Sequence, residues 1–283
     1  MTCIVLTKDN QTELVDTFLS ILSQKVSTSG PHLQCCSSHF CEILIVDGSV
    51  EPIAIPWLIG KVGTSDRLKA CGFSIHILRQ YPPSGIYTAM NLGLVNAQGE
   101  SLIFMNSGDS FYDEFSLHRL VDARYEHRRS TGRWPRVVFG QALIMPVGNH
   151  LPSWLVPDPH ISDISRWLRA FTPNHQTMLV DSLWVSQNHF VLDAPHSADL
   201  TWMRSALDRN SSYSYLGEPV ARFRLGGVSS RLPDYRTLVL RLKEPSRRPL
   251  EKFAEICKFF LYPLQTIYPL AMSLKSRLIG FIY

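Results

Sequence analysis

The 283-residue sequence predicts an α/β domain: a mixed, mainly parallel sheet with flanking helices, followed by a helical tail that is both basic and apolar. Three observations carry this. Short apolar runs rich in β-branched residues alternate with segments of helical apolar spacing through the first hundred residues. Two of those runs end in an aspartate beside a glycine. Finally, residues 236–283 hold nine Lys/Arg and three Glu, a net of +6, so the +4 of the whole chain leaves −2 for residues 1–235.

The elements follow in order. Residues 3–7 read as a buried strand, Lys8-Asp9-Asn10 as a turn, and Leu14, Val15, Phe18, Leu19 and Leu22 as the apolar face of a helix after Thr12. Residues 27–40, rich in Ser, Cys and His, read as a loop. Residues 42–46 form a second strand that stops at Asp47-Gly48-Ser49, and residues 73–78 a third. A helix over residues 88–97 follows, with Gly99 suited to its C-cap. Residues 101–105 form a fourth strand, ending at Asn106-Ser107-Gly108-Asp109. This alternation implies right-handed crossovers. Further on, 137–140 and 142–145 read as short strands and 146–160, with four prolines, as a loop. Residues 165–171 read as a short helix, 177–180 as a strand, 198–207 as a helix and 219–224 as a late strand. The chain divides into a domain of residues 1–235 and a tail of residues 236–283.

Composition narrows the function. With 45% hydrophobic and 18% charged residues the chain is globular, not disordered. Its excess basic charge lies in the tail, so no nucleic-acid-binding face is expected on the core. The six cysteines (Cys3, Cys35, Cys36, Cys41, Cys71 and Cys257) are not spaced as a disulfide framework. The cluster His32, Cys35, Cys36, His39 and Cys41 has no paired C-x-x-C elsewhere, which favours free thiols in a reducing cytosol over zinc. The chain opens without a basic n-region or cleavage site, so a cytoplasmic protein is expected. There is no G-x-x-x-x-G-K-[ST], no G-x-G-x-x-G after the first strand, no G-x-S-x-G and no H-E-x-x-H. That argues against kinases, NAD-linked dehydrogenases, α/β-hydrolases and zincins.

Ligands of open parallel sheets bind outside the carboxyl ends of the strands. Asp47 and Asp109 stand there. A carboxylate in that place can accept hydrogen bonds from a base or ribose, or bind a divalent cation that bridges phosphates. Asp-Gly after a strand is equally ordinary turn chemistry; the pair on neighbouring crossovers is the stronger signal.

Five motifs then occur in order over residues 1–230. They are Ile-Val-Asp-Gly-Ser at 45–49, Gly-Ile-Tyr-Thr-Ala-Met-Asn-Leu-Gly at 85–93 and Ala-Gln-Gly-Glu-Ser-Leu-Ile-Phe-Met-Asn-Ser-Gly-Asp at 97–109, then Pro-Asn-His-Gln-Thr-Met at 173–178 with Ser-Ala-Asp-Leu at 197–200, and Phe-Arg-Leu-Gly-Gly-Val-Ser at 223–229. This pattern resembles the family 2 glycosyltransferases, most of all the branch that assembles bacterial capsule, O-antigen and colanic-acid-like polysaccharides. The resemblance implies a GT-A fold and inverting transfer, as a hexosyltransferase, from a nucleoside-diphosphate sugar to a glycan or lipid-linked acceptor, with Mg²⁺ or Mn²⁺. It implies that Thr7 and Asp47 hold the nucleoside, that Tyr87, Asn91 and Ser107 belong to the donor site, and that Asp109 meets the metal. Asp199 stands at the position of the catalytic base, and His175 and Gln176 would line the acceptor or diphosphate. Two departures stand out: Ser107 at the first position of the Asp-x-Asp-like motif, and Thr88 where the family usually has Asp, after Pro82-Pro83-Ser84 where an acid is usual.

Read without the resemblance, Asp199 also suits a helix N-terminus, and His175 a structural place. Two other readings stay open: a non-catalytic GT-A-like scaffold subunit, and a nucleotidyltransferase, which would be expected to show a Gly-rich basic loop after the first strand. In the tail, residues 259–274 are uncharged between Lys258 and Lys275 and contain Pro263 and Pro269. They are too short and too broken to span a bilayer. Residues 250–283 suit either an anionic membrane surface, on the inner face of the plasma membrane, or a packing element.

Overall fold

β1 (Thr2–Thr7) is buried on both faces, as its unbroken apolar run requires. Cys3 and Val5 point into one core layer, Ile4 and Leu6 into the other. The computed structural model describes residues 1–25, 41–63, 73–146, 153–193, 197–225, 235–244, 249–261 and 272–278. Among them nine strands form one sheet, in the order β3-β2-β1-β4-β8-β6-β9-β5, with β7 on β6.

The first half follows the alternation. β1, β2 (Cys41–Asp47), β3 (Phe73–Arg79) and β4 (Ser101–Phe104) are parallel neighbours. α1 (Gln11–Leu22) buries Leu14 and Phe18 against one face, with α2 (Ile55–Val62) beside it. α3 (Ile86–Asn96) covers the other face with Met90 and Leu94. A fully buried aromatic such as Phe18 contributes about 2 kcal/mol through its area alone. α3 is capped by Ala97 and not by Gly99. Gly99 serves close approach instead, since a Cβ there would lie 2.4 Å from the Met1 carbonyl carbon.

The second half turns antiparallel in part. β5 (Ser110–Phe111) and α4 (Ser116–Thr131) lead to β6 (Val137–Met145), one nine-residue strand where two short ones are expected. β7 (Trp154–Val156) lies inside the proline-rich stretch read as a loop. α5 (Ile164–Ala170) is followed by a 3-10 turn (His175–Thr177), β8 (Met178–Asp181) and the short α6 (Ser182–Val185). α7 (Ala198–Ala206) leads to β9 (Tyr213–Arg224), twice the length read from sequence. β8 runs antiparallel to β4 and β6, while β6 and β9 are parallel.

α8 (Tyr235–Lys243) and α9 (Pro249–Leu261) open the tail and are joined by Arg241–Glu255 at 2.9 Å. Ser276, in a last helical stretch over 272–278, donates to the Leu155 carbonyl of β7 at 2.7 Å and ties the tail to the sheet. No helix among the described residues is long and apolar enough to cross a membrane. Cys3 and Cys41 are buried free thiols with their sulfurs 3.6 Å apart. The rest of the Cys/His cluster lies outside the described residues.

Candidate active site

The ends of β1, β2 and β4 meet because the ladder pairs Thr7 with Asp47, and because Met105 and Ser107 continue the β4 side. Their amides donate to the Ile4 and Leu6 carbonyls at 2.8 and 3.0 Å. The turn at 106–109 is held from α1. The Gly108 amide donates to Thr17 Oγ1 at 3.0 Å, and Thr17 donates to the Asp109 carbonyl at 2.7 Å. Gly108 sits at φ +99°, a left-handed backbone that a side chain would strain. Asp109 is thereby turned inward and buried.

The Asp109 carboxylate accepts from Gln176 Nε2 at 2.8 Å and from the Arg224 amide at 3.1 Å. Burial pushes its pKa up to about 7, and these hydrogen bonds with the Arg224 charge offset only part of that. Nearby, Thr7 Oγ1, Asn106 Oδ1, Ser107 Oγ and Gln176 Oε1 are buried without a partner. They are all the buried side-chain oxygens in that state among the described residues. Each such atom costs about 1–3 kcal/mol. Their gathering at the carboxyl ends of β1 and β4 is what a polar ligand would satisfy.

Asp47 differs. Its carboxylate accepts from the Ser49 amide at 2.9 Å on Oδ1, and from the Ile53 amide at 2.9 Å and Arg79 Nη1 at 2.8 Å on Oδ2. Burial favours the neutral acid, but the two amides, the Ser49 hydroxyl and Arg79 outweigh it, so the pKa is held below the ordinary value. The acceptor positions of Asp47 are taken by its own loop and by Arg79 of β3. Arg79 was not singled out by the sequence, although it is the residue that stands opposite Asp47 in the β2–β3 register. It also stacks on Tyr81 at 4.8 Å and donates to the Val50 carbonyl at 2.9 Å.

A second polar group is built by α3, the 3-10 turn and α7. Asp199 lies in the first turn of α7, half-buried, where a helix N-terminus favours its charge. Its Oδ1 accepts from the Tyr87 hydroxyl and the Leu200 amide, both at 2.9 Å. His175 is kept neutral by burial, which outweighs the opposite pull of the Asp199 charge. Its Nε2 then accepts from Asn106 Nδ2 at 3.3 Å, which links this side to the 106–109 turn. Asn91 points elsewhere. Its amide exchanges two hydrogen bonds with the Phe190 backbone, at 2.8 and 2.9 Å, and is held against that segment. Thr88 is half-buried and donates to the Ser84 carbonyl at 3.1 Å, within the start of α3. Of the motif at 223–229, only residues 223–225 are described.

Among the described residues no three His, Cys, Asp or Glu side chains gather closely enough to hold a metal alone. Asp109 with the unpaired oxygens of Ser107 and Asn106 fits a looser arrangement. Mg²⁺ is commonly held by one or two carboxylates, the rest of its shell coming from phosphate oxygens and water. Two shallow surface hollows lie elsewhere, about 540 Å³ between Arg136, Trp184 and Asp208 and about 490 Å³ between Arg119, Asp122 and Glu218. Neither contains an unpaired buried oxygen, so chemistry and not concavity locates the site.

No protein-family model and no curated protein sequence matches this chain. Solved structures do. Residues 1–349 of S. aureus TarS in complex with UDP-GlcNAc give a TM-score of 0.56 at 16% identity, over 92% of this chain and 71% of that one. The same protein in complex with UDP gives 0.55 at 16%, over 92% and 70%. The mannosyltransferase PcManGT from Pyrobaculum calidifontis, in complex with GDP-Man and Mn²⁺, gives 0.50 at 14%, over 97% and 73%. Identities this low speak to the fold alone. Together with the sheet order and the helices on its two faces, they show that the chain has the GT-A, Rossmann-like fold.

Proposed function

We propose that the protein is an inverting glycosyltransferase of the family 2 kind, moving a hexose from a nucleoside-diphosphate sugar to a glycan acceptor in cell-surface polysaccharide synthesis. The observation that carries this reading is the group of four unpaired buried oxygens at the carboxyl ends of β1 and β4, linked through Asn106 and His175 to a half-buried carboxylate, Asp199, on α7. Solved structures of the same fold hold UDP-GlcNAc or GDP-Man with Mn²⁺, which supports a nucleotide-sugar donor.

In this reading Thr7 and Ser107 give their hydroxyls to the donor. Asp47 shapes the nucleoside pocket through the 47–53 loop instead of touching the base. Asp109 and Ser107 would hold Mg²⁺ or Mn²⁺, which when bound neutralises the leaving diphosphate. Gln176 orients the Asp109 carboxylate, and neutral His175 offers a hydrogen bond to acceptor or diphosphate. Asp199 takes the proton of the acceptor hydroxyl as that oxygen attacks the anomeric carbon.

The acceptor is proposed to be lipid-linked. Phe253, Ile256 and Phe260 are exposed at positions i, i+3 and i+7 of α9, one face of the helix. The tail around them is strongly basic, which suits an anionic bilayer. The Glu244 charge, just after α8, acts on the Tyr87 phenol, so this arm begins beside the acceptor side. Co-sedimentation with phosphatidylglycerol vesicles, and not with phosphatidylcholine vesicles, is expected for the full chain. Changing Phe253 and Phe260 to Ser should lower it at least threefold while donor binding is kept; unchanged sedimentation would remove the membrane from this reading.

Turnover is tested by release of UDP, GDP or dTDP from a panel of nucleotide sugars with Mn²⁺. Asp199→Asn should cut transfer by a factor on the order of 10²–10⁴ and spare donor binding. An Asp199→Asn variant that stays active has the wrong residue named as base. The single carboxylate at the metal position favours one second reading, a scaffold subunit, which would bind nucleotide sugar without turning it over.

A further inference from the structure

We infer that Tyr87 is a positioning residue for the base: it fixes Asp199 by donating to Oδ1 and leaves Oδ2 to take the acceptor proton. This rests on the reading of Asp199 as that base. It gives Tyr87 and Asn91 a role other than the donor contacts that the resemblance implies.

Two donors converge on one oxygen, the Tyr87 hydroxyl and the Leu200 amide, each at 2.9 Å. Together they set the rotation of the carboxylate. The phenol is itself clamped. Tyr87 stacks on Phe190, with centroids 5.9 Å apart and planes 20° apart, and Phe190 stacks on Trp202 of α7 at 4.8 Å and 20°. Trp202 Nε1 donates to the Asn188 carbonyl at 2.8 Å. Asn91, one turn beyond Tyr87 on α3, pins the Phe190 backbone from the other side. The result is a closed bracket: α3 to residues 188–190 to α7, and back to α3 through the Tyr87–Asp199 bond. Burial, with the Asp199 charge second, drives the Tyr87 pKa far above its usual value, so the phenol stays a donor at any working pH. The other groups facing this pair are His175 from the 3-10 turn, kept neutral, and Glu244 from the end of α8.

Losing the phenol removes one of the two donors that set the rotation of the base and should loosen its aim. Tyr87→Phe keeps the ring, so the stack and the melting temperature should be retained. On the donor that the full chain turns over, kcat should fall about tenfold, the size expected for one hydrogen bond to a charged group. The donor KM should stay within twofold. A raised donor KM with unchanged kcat would make Tyr87 a donor contact and overturn the inference. Asp199→Asn measured beside it separates the two levels. If Asp199→Asn is dead and Tyr87→Phe behaves as wild type, only the positioning role falls; if Asp199→Asn is active, the reading of the base falls first.

Discussion

Asp47 ends β2 and Asp109 closes the turn after β4, on either side of β1 and each beside a glycine, and the fold treats them in opposite ways. At the end of β2 the carboxylate is saturated by two amides, a hydroxyl and Arg79, and its pKa is lowered. At the end of β4 the carboxylate has two neutral donors, its pKa is pushed up to about 7, and the oxygens around it are unpaired. The first arrangement stabilises the loop it belongs to. The second costs stability until something binds. Identical sequence chemistry thus serves structure in one place and, in our reading, ligand capture in the other, and the difference lies in which partners the neighbouring strands supply.

The largest way to break this comparison is to remove the saturated carboxylate. Asp47→Asn should destabilise the protein by about 2 kcal/mol at pH 7, less than a fully buried pair would lose because Arg79 is partly exposed. The sign follows from the lowered pKa. The stabilisation is present above the unfolded carboxylate pKa of about 3.9 and is lost as pH falls through the folded value. Wild type and variant should therefore converge in acid. Denaturant melts across pH measure this, and an equal gap at pH 7 and in strong acid would deny that Asp47 is held as an ion.

Asp109→Asn should do the reverse. The folded pKa lies above the unfolded one, so ionisation favours the unfolded chain from about pH 4 upward and the cost levels off above about pH 7. In EDTA, Asp109→Asn should be more stable than wild type by about 1–3 kcal/mol at pH 8 and equal to it near pH 4. A variant less stable than wild type at pH 8 would place Asp109 in the same class as Asp47.

The parallel half of the sheet was legible because strands buried on both faces read as apolar runs, and Asp47 and Asp109 are marked by where those runs stop, whereas Thr7 and Ser107 are named only by the resemblance. α4 was not legible. Its buried face is Leu117, Leu120 and Arg124, and the arginine is compensated by Asp181 at 2.9 Å, a partner 57 residues away. α2 is eight residues long with Pro56 and Gly60 inside it, too short for a periodic signal. At the site, the saturation of Asp47 depends on Arg79 across a strand register and on the Ile53 amide, neither marked by a motif. The contact of Tyr87 with Asp199 joins residues 112 apart, and the use of Asn91 on Phe190 spans 99. Residue types show what chemistry is available; only packing decides whether a polar atom is spent or left open.

Thr7 provides the most direct measurement, because Thr7→Val removes a partnerless buried hydroxyl at constant shape. The variant should be more stable than wild type without ligand, by about 1 kcal/mol, and should bind the nucleoside diphosphate of the preferred donor at least fivefold more weakly with Mn²⁺ in calorimetry. A Thr7→Val protein that is less stable alone and binds nucleotide as tightly as wild type would contradict the assignment of the unpaired oxygens to the donor site.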